Sequence, residues 1–210
     1  MNNIHKVGYW SGLMAFGLTV AFGIVQGIQL LRFFSYPLDE ILIYGTSLCI
    51  VVPFMFEMLA LHHVAPANKR FWSHAALLFT MIYVVFVTAN YVVQLATVIP
   101  MTLNDATSKI DILRQAPHSL FWDFDAIGYI AMGLATLSAV PVFDEDGFGE
   151  WVKYCFLVHG LVVTPLIAYV YFYPVFSEKL LLLGIPWAIT APLSMLLLAI
   201  WFRKEMTTAN

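Results

Sequence analysis

The chain has 210 residues, of which 61% are hydrophobic and 11% charged, and its mean hydropathy is +0.82. A water-soluble domain carries about 25% charged residues, so this composition excludes a soluble globular protein and leaves no room for a large soluble domain. Ten Lys and Arg against thirteen Asp and Glu give a net charge of -3, which excludes the basic surface that nucleic acid binding requires.

Six apolar runs follow one another along the chain, at residues 7–31, 41–61, 71–99, 121–142, 151–173 and 180–202. Each is long enough for a helix to cross ~30 Å of hydrocarbon, which takes about 20 residues. Backbone amides in lipid must be satisfied within the segment, so the runs are helices. A β-barrel would alternate in short segments, and the four consecutive leucines at 180–183 do not alternate. The expected fold is an all-α, polytopic membrane protein with six transmembrane helices in one bundle, and residues 1–210 form a single domain. The first run is longer than the ~7–15-residue core of a signal peptide and no small-residue cleavage pattern follows it, so it reads as a retained first helix. Cys49 and Cys155 lie inside apolar runs, where a thiol packs as a small hydrophobe and gives no disulfide framework.

Positive charge stays on the cytoplasmic side of a membrane. Six spans put both termini on one side, together with Lys6, Lys69, Arg70, Lys153, Arg203 and Lys204, while Arg32, Lys109, Arg114 and Lys179 fall on the other. That asymmetry predicts an inner-membrane protein with both termini cytoplasmic. Aromatic residues gather at the proposed interfaces, including Trp122 and the run 171–173, as in an aromatic belt. The third loop, residues 101–120, is the longest connection and external on this topology. Ala106, Ile110 and Leu113 recur in it at helical spacing, with Lys109, Asp111 and Arg114 on other faces and Pro117 as a stop. It reads either as a short amphipathic interfacial helix or as an ordinary loop with one helical turn. Asp144, Glu145 and Asp146 form a charged turn on the cytoplasmic side, read as a solvated loop.

Polar groups inside spans are costly and normally face a partner. They fall at two depths. The outer set is Gln26 and Gln29, Asn90 and Gln94, Asp123, Asp125 and Tyr129, and Tyr169. Asn90 and Gln94, like Asp125 and Tyr129, are four residues apart and so share a helix face. One reading joins Gln26, Asn90, Gln94, Asp125 and Tyr129 in a ligand pocket between the first, third and fourth helices, covered by the 101–120 loop, with Asp125 near the rim favouring a cationic or hydroxyl-bearing ligand. The other makes the amides interhelical glue and Asp123 and Asp125 helix caps.

The inner set is Glu57, His62, His63, His74 and His159. Glu57 and His159 lie at matching depth and are read as a structural or proton-linked pair. The histidines supply ligand types for zinc or iron, but no H-E-x-x-H, H-x-x-x-H or C-x-x-C spacing is present. No metal site is assigned and no cofactor is expected.

The stretch 89–95, Ala-Asn-Tyr-Val-Val-Gln-Leu, followed by Asp-Ala-Ile-Gly-Tyr at 125–129 and Pro-Val-Phe at 141–143, resembles a group of six-span bacterial and archaeal inner-membrane proteins with no assigned activity. The resemblance covers most of the chain and implies six helices without transferring a function. Three function classes follow from the residues. The first is a protein that binds a small molecule or lipid in an outward-facing intramembrane pocket, as a transporter or sensor. The second is an accessory subunit with a membrane-protein partner or a second copy of itself, and the third an enzyme using Glu57 and His159 as acid and base. Membrane lipids are partners in all three.

Overall fold

The computed structural model of the protein describes residues 3–105, 110–145 and 147–208. Among them are six helices long and apolar enough to cross a membrane: α1 (Asn3–Leu30), α2 (Leu38–Val64), α3 (Ala67–Leu103), α4 (Leu120–Val142), α5 (Gly149–Phe172) and α6 (Glu178–Thr207). The described residues contain no strand. Most helices continue a few residues beyond the predicted apolar runs. Hydropathy marks the stretch suited to lipid, whereas helical hydrogen bonding continues through polar residues such as Lys6 and Arg203 until a cap or turn stops it. Asp39 and Glu40 in the first turn of α2 and His62 and His63 in its last turn complement the helix dipole. At the start of α4 the cap is Ser119, whose Oγ accepts the Trp122 amide at 3.2 Å. The capping role considered for Asp123 and Asp125 therefore belongs to Ser119, and Asp125 is freed for contacts with other helices.

Each helix packs against the next in chain order, and α6 returns to pack along α1. The ring places α2 and α5 three positions apart. Small residues set its tightest contacts. A methyl group at Gly133 on α4 would collide with the Thr164 hydroxyl of α5, and one at Gly12 on α1 would collide with the Glu57 carboxyl of α2 and sit 2.8 Å from Ala199 of α6.

Two spans carry a π-helical turn, Gln94–Val98 in α3 and His159–Val163 in α5, and each is followed within two residues by a proline, Pro100 and Pro165. Proline removes one amide and its ring presses on the carbonyl four residues back. Widening the preceding turn relieves that crowding. Side-chain hydroxyls then satisfy carbonyls along these segments: Thr164 Oγ1 donates to the His159 carbonyl at 2.9 Å, and Thr102 Oγ1 to the Val98 carbonyl at 2.8 Å.

In the third loop, residues 106–109, including Ala106 and Lys109 of the expected amphipathic helix, lie outside the described residues. The part that follows is a turn in which the Leu113 and Arg114 amides donate to the Ile110 carbonyl at 2.8 and 3.0 Å. Ile110 is 0% exposed, so its side chain anchors the loop inside the protein. At the opposite end, the turn expected to be merely solvated is tied down by ion pairs, Asp144 to Lys69 and Glu145 to Lys153. The hydrogen bond from Lys153 holds the Glu145 carboxyl below the usual carboxylate range.

Gly133→Ala should destabilise the protein by about 1–3 kcal/mol, the usual cost of overpacking a close contact. Gly17→Ala, where nothing lies within 4 Å, should keep or raise stability, by up to ~1 kcal/mol, since alanine is the better helix former. Thermal unfolding in detergent measures both, and equal melting temperatures for the two variants would refute the tight α4–α5 contact.

Candidate functional site

Polar side chains from α3, α4, α5 and the third loop converge on one carboxylate at the end of the ring that carries this loop. The Ser119 cap starts α4 so that Asp125 stands about one and a half turns inside it. There Asp125 is 3% exposed. Its Oδ2 accepts Tyr171 Oη at 2.5 Å and Gln115 Nε2 at 2.9 Å, and its Oδ1 accepts Asn90 Nδ2 at 3.2 Å. One turn further along the same face, Tyr129 shares a hydroxyl hydrogen bond of 2.8 Å with Tyr91 of α3. Tyr91 stacks on Tyr44 of α2, and Tyr129 meets Trp187 of α6 edge to face.

These residues border a cavity of about 550 Å³, within the ~300–1,000 Å³ range of small-molecule sites. Its walls come from all six helices and the third loop, so it is wider than the expected cleft between α1, α3 and α4. Tyr44, Tyr91, Trp122, Tyr129, Tyr171 and Trp187 give the wall its aromatic character. Gln26, Gln29, Glu40, Gln115 and Asp125 are its polar and charged members. Gln26 Nε2 donates to Gln29 Oε1 at 3.2 Å, and Gln29 Nε2 donates to Asp39 Oδ2 at 3.4 Å, linking α1 to the start of α2.

Of the residues predicted for the pocket, Gln26, Asp125 and Tyr129 border the cavity. Asn90 and Gln94 stand behind its wall, 0% and 1% exposed. The expectation that both line it is corrected by what they bond to. Gln94 Nε2 donates to the Leu113 carbonyl at 2.8 Å, and its Oε1 accepts the Gln115 amide at 3.1 Å. Asn90 Nδ2 donates to Gln115 Oε1 at 3.0 Å as well as to Asp125. The two amides thus clamp the loop to α3 and hold Gln115 against Asp125. Tyr169, from the outer polar set, points away from the site, 49% exposed and packed on Tyr173.

Sequence reasoning passed over Tyr44, Tyr91, Gln115 and Trp187, and assigned Trp122 and Tyr171 to the interfacial belt. The available signal was spacing. Trp122, Asp125 and Tyr129 recur at three and four residues, which puts all of them on one stripe of α4. Nothing local distinguishes Tyr171 from Tyr173.

The inner set does not assemble as expected. Glu57 is 0% exposed and among the described residues neither carboxyl oxygen has a hydrogen-bond partner; its carboxyl group lies against Gly12. His159 Nδ1 instead pairs with Thr190 Oγ1 of α6 at 2.8 Å. The direct Glu57–His159 hydrogen bond is therefore not made, because α2 and α5 stand across the ring from each other. His62 Nδ1 bonds Ser73 Oγ at 2.9 Å and its ring lies 5.5 Å from that of His74. Among the described residues no three His, Cys, Asp or Glu side chains group to hold a metal ion.

No protein-family model matches the chain, and no curated protein or solved structure matches it.

Gln94→Leu would leave the Leu113 carbonyl and the Gln115 amide without their side-chain partners. At ~1 kcal/mol for each net hydrogen bond, amide hydrogen exchange across residues 110–119 should accelerate about tenfold or more, with α2 unaffected. Unchanged exchange in the loop would show that Gln94 does not clamp it.

Proposed function

We propose that the chain is a multi-pass protein of the cell inner membrane that binds a small molecule or lipid in an outward-facing intramembrane pocket, as a transporter or sensor. The observation that carries this reading is the 550 Å³ cavity bordered by helices long and apolar enough to cross a membrane. A concave, largely apolar space with a few convergent polar groups is the usual form of a small-ligand site. Polar groups at membrane depth are otherwise expensive, and here Gln26, Asp125 and Tyr129 all border it.

The helices form one bundle around the site, an arrangement supported by the closed order of neighbours from α1 through α6. Both termini are cytoplasmic. The support is the distribution of positive charge, with Lys6, Lys69, Arg70, Lys153, Arg203 and Lys204 on the terminal side against Arg32, Lys109, Arg114 and Lys179 on the other. The third loop covers the pocket; buried Ile110 and the Gln94 clamp are the observations in favour of a cover rather than a free loop.

Two measurements test these readings. Gly23 borders the cavity and has no atom within 4 Å of where a side chain would begin, so Gly23→Trp should fill the space without disturbing a helix contact. Mass spectrometry of purified protein should find a molecule that accompanies the wild type and is lost from this variant, with the melting temperature retained. Equal retention of that molecule by both proteins would overturn the pocket. For orientation, an alkaline phosphatase reporter should be inactive when fused after Asn210 and active when inserted in the 101–120 loop. The reverse pattern would invert the topology.

A further inference from the structure

The cavity is electrically one-sided. Among the described residues its charged lining side chains are Glu40 and Asp125, and no Lys, Arg or His lines it. Arg114, on the third loop, acts electrostatically on Glu40 and Tyr44 and donates from Nη2 to Thr102 Oγ1 at 3.3 Å. Asp39 beside Glu40 adds a further carboxylate, already receiving Gln29. Asp125, deeper in, receives hydrogen bonds from the neutral groups Tyr171, Gln115 and Asn90, and among the described residues it forms no ion pair.

An ionised carboxylate has about four acceptor positions, and the three donors take two on Oδ2 and one on Oδ1. The Asp125 carboxyl group borders the cavity. Around it stand Tyr91, Trp122, Tyr129 and Tyr171, and aromatic faces attract a desolvated cation through their quadrupoles. A buried anion without a countercharge is costly in an apolar surrounding, and a cationic ligand removes that cost when it enters.

Resting on the pocket reading above, we infer that the ligand is a hydrophobic organic amine in its protonated form. Its ammonium group pairs with the Asp125 carboxylate among the aromatic rings, and its apolar body lies against Phe22, Ile43 and Ile167. The chemistry is shared by a free amine and by the amine headgroup of a phospholipid. Anions are rejected, because the described wall offers two carboxylates and no cation to compensate them, and a neutral alcohol forgoes the charge attraction.

The test uses the purified full chain in nanodiscs of phosphatidylglycerol, with binding read by isothermal titration calorimetry against empty discs. The probes are 4-phenylbutylamine, its neutral counterpart 4-phenylbutanol and the anion 5-phenylpentanoate. The amine should bind at least tenfold tighter than the alcohol, and the anion should not bind. Asp125→Asn should lower amine affinity to the level of the alcohol, and Glu40→Gln should lower it by a smaller factor. The ranking of the three probes on the wild type holds the test even if Asp125→Asn does not fold. An alcohol that binds as tightly as the amine, or an anion that binds more tightly, overturns the amine and leaves the pocket standing. If none of the three binds, the pocket reading fails with it. Repeating the amine titration in discs containing phosphatidylethanolamine separates the two sources: competition assigns the site to a lipid headgroup, and unchanged affinity to a free amine.

Discussion

In a hydrocarbon surrounding, a buried polar group has no partner except one the protein supplies. That constraint accounts for the six helices, whose amides are satisfied within each segment, and for what happens where a helix deviates. At the two π-helical turns, the carbonyls of Val98 and His159 receive Thr102 and Thr164. The same demand explains why Asn90, Gln94 and Gln115 are used as they are. Each amide reaches a loop carbonyl, a loop amide or the Asp125 carboxylate, so the third loop is held by the interior of α3 and α4 as well as by its own turns.

The two ends of the ring solve the burial problem differently. At the loop-bearing end, polar groups are concentrated and linked around a cavity that is wide enough for a ligand. Toward the terminal end, small residues bring helices together, as where Phe202 lies 2.5 Å from where a methyl on Gly8 would sit. Glu57 is the exception there. Its carboxyl group lies against Gly12, without a partner among the described residues, and leaves no room for a side chain at that position of α1. Charge at that end is instead managed at the surface, through the Lys69–Asp144 and Lys153–Glu145 pairs.

Asp125 connects the fold to the chemistry of the site. It is buried by α4, oriented by α3, α5 and the loop, and still borders the cavity. On the proposed reading its donors fix the carboxylate in place ahead of a ligand, and such preorganisation reduces the cost of ordering a site on binding. The clamp from Gln94 contributes indirectly, since it positions Gln115, the loop residue that reaches Asp125.

The sequence by itself determined six helices long and apolar enough to cross a membrane and their positions to within about a turn and a half, since these depend on the length and hydropathy of contiguous segments. It also determined which polar residues share a helix face: Asp125 with Tyr129, and Asn90 with Gln94, follow from the helical period alone. Only the tertiary structure decided how each helix is rotated about its axis and which neighbour it meets. That rotation turned Asn90 and Gln94 toward the loop, brought Tyr171 and Trp122 from an apparent interfacial belt into the cavity wall, and sent Tyr169 outward. It also separated Glu57 from His159, two residues of equal depth on helices that face each other across the ring. Depth is set by distance along a single helix. Partnership depends on packing between helices, which no local pattern of residues encodes.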